Sequence, residues 1–281
     1  MPGRRLSPLR RVIHTALVLL ALAWSLFPLY WMAVTAFKRN LDIFSFELQL
    51  LPTTPTFENF ANLFDSDVPV RTYFINSVIT ALGTCLVTIF VSVLAGYAFS
   101  RLRFRGQRPL EMSMLVGQMF PLLVLIIPLY LIYLRAGLLN TNAGLILAFC
   151  SIAVPVGVWF MKNFIDSVPR ELDEAARIDG CGDLGIIRHI LLPLIGPGIV
   201  AVGVFAFLEA WNNLVFPLAF STRPDARTLP PGLLLAVDSQ FRQDWGGLMA
   251  ASILASIPPI VGFIAVQRWI LRGLTSGALK G

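Results

Sequence analysis

The sequence predicts an all-α integral membrane protein. It should have six transmembrane helices, both termini on the cytoplasmic side, and a charged cytoplasmic loop between the fourth and fifth spans. Three observations carry that expectation. Of the 281 residues, 56% are hydrophobic and only 14% charged, whereas a water-soluble domain carries about 25% charged residues. The apolar residues gather in runs long enough to cross hydrocarbon as helices, which need about 20 residues for roughly 30 Å. The 22 Lys and Arg residues sit at the ends of those runs and form no basic stripe with interleaved aromatics. The net charge of +6 therefore reads as membrane topology, and nucleic acid is not an expected partner.

The expected spans are residues 13–37, 74–98, 110–134, 144–164, 197–220 and 248–270, in one membrane domain covering 1–281. The first begins after "MPGRRLSPLRR", and Ala21-Leu22-Ala23 resembles a signal-peptide cleavage site. The apolar run continues through Phe27, Leu29, Trp31 and Val34, longer than a signal core, so the segment is expected to be a retained span. With the N-terminus inside, fifteen Lys and Arg fall in cytoplasmic segments and seven outside. That excess supports both termini in. The outer loop 38–73 places Phe57, Phe60 and Phe64 at helical spacing, which predicts a short amphipathic helix with those rings on its apolar face. Cys85, Cys150 and Cys181 form no CxxC pair and read as small hydrophobes.

The loop 169–193 is the unusual feature. "ELDEAARIDGCGD" places six acidic or basic groups in thirteen positions between two apolar spans. Pro169 and Gly180 frame a helix of about ten residues. Leu172, Ala175 and Ala176 share one expected face, and Glu171, Glu174 and Arg177 another. A second apolar stripe follows at Ile186, Ile187, Ile190 and Leu191. The residues alone leave two readings open: a loop helix packed on its own bundle, or a docking helix for another protein.

Glu174-Ala175-Ala176, three residues, Gly180, nine residues, then Ile190-Leu191-Leu192-Pro193 reproduces the EAA motif of ABC-importer permeases. On that motif the chain resembles the carbohydrate-importer branch of the binding-protein-dependent permeases, the maltose-transporter type. The likeness extends from about residue 12 to the end. It includes "NSVIT" (76–80), "AGYAFSRLRFRG" (95–106), "IPLYLI" (127–132), "GLLNT" (137–141), "AWNN" (210–213) and "QRWILRGLTSGALKG" (267–281). Cys181 stands where the family usually has Ala.

The resemblance implies that loop 169–193 is a coupling helix seated on a cytoplasmic ATPase, with Glu174, Ala175, Ala176, Asp179, Gly180, Ile190, Leu192 and Pro193 as the docking residues. It also implies a homologous second permease, two ATPase subunits that bind ATP and Mg, an external substrate-binding protein, and the plasma (inner) membrane of a prokaryote. This chain would hold no cofactor or metal. The tail "GLTSGALKG" is expected to be disordered when free and to insert at the ATPase dimer interface.

In the fifth span Glu209, Asn212 and Asn213 would share a helix face, with Trp211, Phe205 and Phe216 nearby. An ionisable residue in a span faces the bundle interior or a wet cavity. The four residues Glu209, Trp211, Asn212 and Asn213 are candidates for a sugar path, or alternatively for interhelical hydrogen-bonding glue. Gln118 with Pro121, and Gln267, read as packing. There is no GxxxxGK[ST] phosphate loop, no metal-ligand spacing around His14 or His189, and no nucleophile–base arrangement. Those absences exclude a self-contained ATPase of that type and give no catalytic residue. A self-sufficient ion-coupled transporter would show several buried charges and inverted repeats, and here Glu209 is the lone candidate.

Overall fold

The computed structural model describes residues 8–45, 49–65, 68–239 and 244–278. All regular structure among them is helical. The chain divides into two compact units, one of residues 1–68 with 235–256, the other of 69–234 with 257–281.

In the first unit, α1 (Pro8–Ala36) is followed by α2 (Asn40–Ile43) and α3 (Glu58–Asp65). The apolar window of α1 is unburied within the chain, an arrangement that hydrocarbon tolerates and water does not. The loop beyond α1 is anchored by polar side chains. Lys38 lies 5.2 Å over the Trp31 ring and donates to the Gln49 carbonyl at 2.7 Å. Asn59 donates to the Ala36 and Lys38 carbonyls at 2.7 and 2.8 Å. The expected amphipathic helix exists as α3, but its buried pair is Asn59 and Leu63, while Phe57 and Phe64 are exposed. Asn59 claims the inward face because it caps two carbonyls that α1 leaves without helical partners.

The second unit is built on α4 (Val70–Arg101), α7 (Asn142–Asp166) and α11 (Gly196–Asn212), which pack mutually. One pattern on α4 explains the packing. Asn76, Thr80, Thr84, Thr88, Ser92, Gly96 and Ser100 recur every fourth residue, and all are buried. A ridge at that interval fits the groove of a neighbouring helix. Its small members let backbones approach, which is how helices associate where no water drives them together. The packing is tight at Gly157 of α7, where an added Cβ would overlap Ser92 Oγ and meet Thr88 and Val202 at 3.1 Å. Of the ridge hydroxyls, Thr80 donates to the Asn76 carbonyl of its own helix at 2.8 Å, and Ser100 reaches across to Asp166 of α7 at 2.6 Å.

Between these helices lie α5 (Gln107–Gly117), α6 (Leu122–Arg135), α8 (Arg170–Ile178), α9 (Asp183–Ile186), a π turn at Ile187–Leu191, and α10 (Leu192–Leu194). After α11 come α12 (Val215–Phe220), α13 (Leu229–Ser239) and α14 (Trp245–Ala278), the last two contributing to both units.

Four expected spans appear as long helices: α1, α4, α7 and α14. The other two are bent or broken. Residues 110–134 split into α5 and α6, which bend by 103° about residues 118–121. Pro121 lacks an N–H, disfavours helical backbone at Phe120 and is itself extended at φ −62°, ψ 119°, which marks the break. Span 197–220 ends at Asn212, where Asn213 turns to extended backbone at φ −68°, ψ 131°. The segment Asp183–Leu194 joins α11 at a bend of 83°. Counting each bent pair as one crossing, the described residues supply up to six spans.

Helix α14 continues to Ala278, so residues 273–278 of the tail, expected to be disordered, are helical. Residues 279–281, with Lys280, lie outside the described residues, as do Arg4, Arg5 and Arg242 of the charge count.

Gly157→Val is expected to push α4 and α7 apart and cost about 1–3 kcal/mol, the usual penalty of overpacking. Gly117→Ala, where nothing lies within 4 Å, is expected to be near neutral. Thermal unfolding of the two detergent-solubilised variants checks this ridge contact.

Candidate functional site: the loop between α7 and α11

The loop helix α8 starts after Pro169, whose fixed φ suits helix entry. Glu171 and Asp173 occupy its first turn and Arg177 its last, complementing the helix dipole at both ends. It ends on Gly180 in the left-handed region at φ +85°. Gly180 N donates to the Arg177 carbonyl at 3.1 Å, and Cys181 N to the Ala176 carbonyl at 2.9 Å. This is a Schellman closure, which needs the left-handed residue where Gly180 stands.

The buried face of α8 is Asp173 with Ala176, one turn apart. The expected shared face of Leu172, Ala175 and Ala176 is therefore divided, with Ala176 turned to the core. Leu172 and Ala175 point outward with Glu171, Glu174 and Ile178. The inward register is set by charge, since Asp173 reaches Arg101 at the end of α4. Their side chains are 8% and 5% exposed, and Arg101 Nε lies 2.5 Å from Asp173 Oδ2. The contact is ionic without being an aligned hydrogen bond, and Asp173 Oδ1 receives no donor. Arg101 also donates through Nη2 to the Val168 carbonyl at 2.8 Å.

Two further links flank that pair. Ser100 Oγ donates to Asp166 Oδ1 at 2.6 Å, Lys162 Nζ donates to Asp166 Oδ2 at 2.9 Å, and Arg170 donates to the Ser100 carbonyl at 2.8 Å. On the other side Tyr97 OH and Arg177 Nη2 both donate to Asp183 Oδ1, at 2.8 and 2.6 Å. Tyr97's hydroxyl, and then Arg177, hold the Asp183 carboxyl below the ordinary carboxylate range. A lowered carboxylate contributes stability above its unfolded value and loses it as pH falls through the folded one, so this link is intact at neutral pH.

Below the polar links, the second stripe is the apolar anchor. Ile186, Ile187 and Leu191 are buried against Val93, Tyr97, Met161, Ile165 and Val202, and Ile190 and Cys181 pack at the edge. Leu192 and Pro193 are exposed on the far side of the π turn. The docking candidates thus separate. Glu174, Ala175, Asp179, Gly180, Leu192 and Pro193 face out, Ala176 faces the core, and Ile190 is intermediate. Ile178 and Leu184, 87% and 75% exposed, extend the outward apolar surface.

The sequence reading missed Tyr97, Ser100, Arg101, Asp166 and Asp173. The available signal was a polar stripe at i, i+3 and i+4 where α4 ends.

At the far end of α11, Glu209 and Asn212 lie one turn apart within the helix, and Asn213 just beyond it still meets Glu209. Asn213 Nδ2 donates to Glu209 Oε1 at 3.1 Å, and its Oδ1 accepts from Phe216 N at 3.2 Å. Asn213 thereby fastens α11 to α12. Trp211 is buried, its ring between Phe74 and Phe207 at 5.9 and 5.6 Å. Asn212 is exposed and Glu209 half-buried. A cavity of about 510 Å³ between α4, α11 and α14 is lined by Leu82, Cys85, Val204, Phe207 and Pro259. Of the candidate path residues Trp211 lines it and Glu209, Asn212 and Asn213 do not, and its walls are mainly apolar.

Arg101→Ala leaves Asp173 buried without its cation, and breaking such a pair costs about 3–5 kcal/mol. The double variant Arg101→Met/Asp173→Leu is expected to recover most of that loss. Thermal unfolding of both proteins in detergent measures the difference.

Residues 88–276 match the family described as binding-protein-dependent transport system inner membrane component. The chain is 35% identical to the diacetylchitobiose uptake system permease protein of Streptomyces coelicolor, over 91% of this chain and 92% of that one. It is 34% identical to the sulfoquinovosyl glycerol transport system permease protein of Agrobacterium fabrum, over 98% and 94%. A solved bacterial ABC transporter involved in the import of the acidic polysaccharide alginate shares the fold, with a TM-score of 0.83, 20% identity, and 95% and 99% of the two chains covered. The chain belongs to the binding-protein-dependent transport system inner membrane components, the multi-pass permeases of ABC importers.

Proposed function

We propose that this permease carries a sugar or sugar-like solute across the plasma membrane, driven by ATP hydrolysis in a separate subunit that docks on the 169–193 loop. The observation that carries this reading is the division of α8 into two faces. Its inner face is tied by charge to α4, and its outer face presents Glu174, Ala175 and Ile178 without a side-chain partner among the described residues. A helix fixed on one side and free on the other suits a handle that moves with the bundle.

In this reading the chain has six spans with both termini inside, counting α5–α6 as one crossing and residues 197–220, α11 with α12, as another. A homologous permease completes the pathway, two cytoplasmic ATPase subunits bind ATP and Mg, and an external binding protein delivers the solute. The carbohydrate cargo named for the relatives supports the solute class. Glu174 meets basic groups in the ATPase cleft, while Ala175, Asp179, Leu192 and Pro193 complete the contact. ATP-driven closure then shifts α4 and α7 with the loop as a rigid body. Glu209 and Asn212 offer acceptors and donors to the passing solute, with Trp211 and Asn213 holding that end of α11 in place.

Glu174→Lys is expected to set like charges together at the docking cleft. Binding-protein-stimulated ATP hydrolysis and sugar uptake in vesicles should both fall, while membrane insertion and sugar binding by the binding protein stay normal. A compensating charge reversal on the ATPase should partly restore them. Wild-type stimulation and uptake with Glu174→Lys would reduce the helix to a loop.

Topology has its own test. In a background without the three native cysteines, Asn62→Cys should label from outside intact cells and Asp179→Cys should not. Labelling in the reverse order would contradict the orientation.

A further inference from the structure

Two cavities meet at the end of the bundle that carries the docking loop. The first, of about 510 Å³, is polar and lined by Phe104, Gln107, Arg108, Pro109 and Lys162. The second, of about 240 Å³, is apolar and lies between α5 and α7, lined by Met112, Leu115, Pro155, Val158 and Trp159. They share Glu111 and Lys162, so one leads into the other. A charged mouth opening onto an apolar groove has the shape of an amphiphile.

Charge selects the kind of amphiphile. Arg103, Arg105 and Arg108 are exposed, and none of them takes part in an ion pair among the described residues. Arg108 and Lys162 line the polar cavity beside Glu111, Lys162 also pairs with Asp166, and Arg103 and Arg105 flank the lining residues Phe104 and Gly106 in the chain. Basic pockets between membrane helices bind anionic lipid head groups, at about 1 kcal/mol per Lys or Arg near the surface.

We propose that this double cavity binds one anionic phospholipid. Its phosphate lies between Arg108 and Lys162, and an acyl chain runs along Trp159 and Val158. Glu111, which accepts from Gln107 Nε2 at 3.4 Å, sits at the junction where head-group hydroxyls can donate to it. Phosphatidylglycerol meets all three demands: net negative charge, hydroxyls on the head group, and hydrocarbon. Lys162 also holds Asp166 of the loop clamp, so the lipid touches the brace that positions α8. The cytoplasmic leaflet is assigned from the orientation proposed above; the binding chemistry does not depend on it.

The test uses the whole transporter complex in vesicles and reads tryptophan fluorescence. Phosphatidylglycerol brominated on its acyl chains should quench more than brominated phosphatidylcholine or phosphatidylethanolamine at equal content. That excess should vanish in Trp159→Phe and fall several-fold in Arg108→Gln, whose exposed side chain leaves folding intact. Millimolar inorganic phosphate should leave it unchanged. Equal quenching by the three lipids, an excess that survives Arg108→Gln, or one abolished by inorganic phosphate would each overturn the proposal. Because the readout is lipid contact and not transport, it stands or falls separately from ATPase docking.

Discussion

Everything in the second unit that bears on function depends on one buried ion pair, Arg101 with Asp173. A charge removed from water is tolerated only against a partner, and replacing such a pair by apolar residues often stabilises a protein. Stability alone therefore gives no reason to keep it. Its geometric consequence does. It fixes which side of α8 turns inward, and so which residues remain for another protein. If Asp173 were apolar, Leu172 and Ala175 would compete with Ala176 for the core, and Glu174 would lose its fixed bearing.

That pair functions because α4 is placed to receive it. The ridge of small residues from Asn76 to Ser100 brings α4 against α7 along its whole length. The ridge's final member, Ser100, is already part of the clamp through Asp166. Packing within the membrane and polar bracing at its edge are thus successive turns of one helix. The other end follows the same logic. Asn76 donates to the Asp225 and Arg227 carbonyls at 2.9 and 3.0 Å, and Ser77 Oγ accepts from Leu229 N at 2.8 Å. Loops at both ends hang on polar side chains of α4, which makes that helix the spine of the unit.

Much of this was legible in the sequence. The four long spans follow from apolar length, Gly180 from the need for a left-handed residue after a helix, and the inward stripe Ile186, Ile187 and Leu191 from its spacing. The breaks at Pro121 and Asn213 were harder to see, because hydropathy averages over them and a proline inside an apolar run often leaves a span intact. The inward face of α8 was not legible, because its inner contact is a charge pair with a residue on another helix. Asp173 and Arg101 are 72 positions apart in the chain, and nothing local to either reveals the pairing.

The central claim is that α8 and the Arg101 end of α4 move as one body during transport. Spin labels at Glu171 on α8 and at Arg103 just beyond α4, both exposed positions, report this directly. Their distance distribution, measured by double electron–electron resonance in the assembled transporter, is expected to keep the same mean and width without nucleotide and with ATP trapped. A shifted or broadened distribution in the ATP-bound state would mean that the loop hinges on the bundle, and would contradict the account.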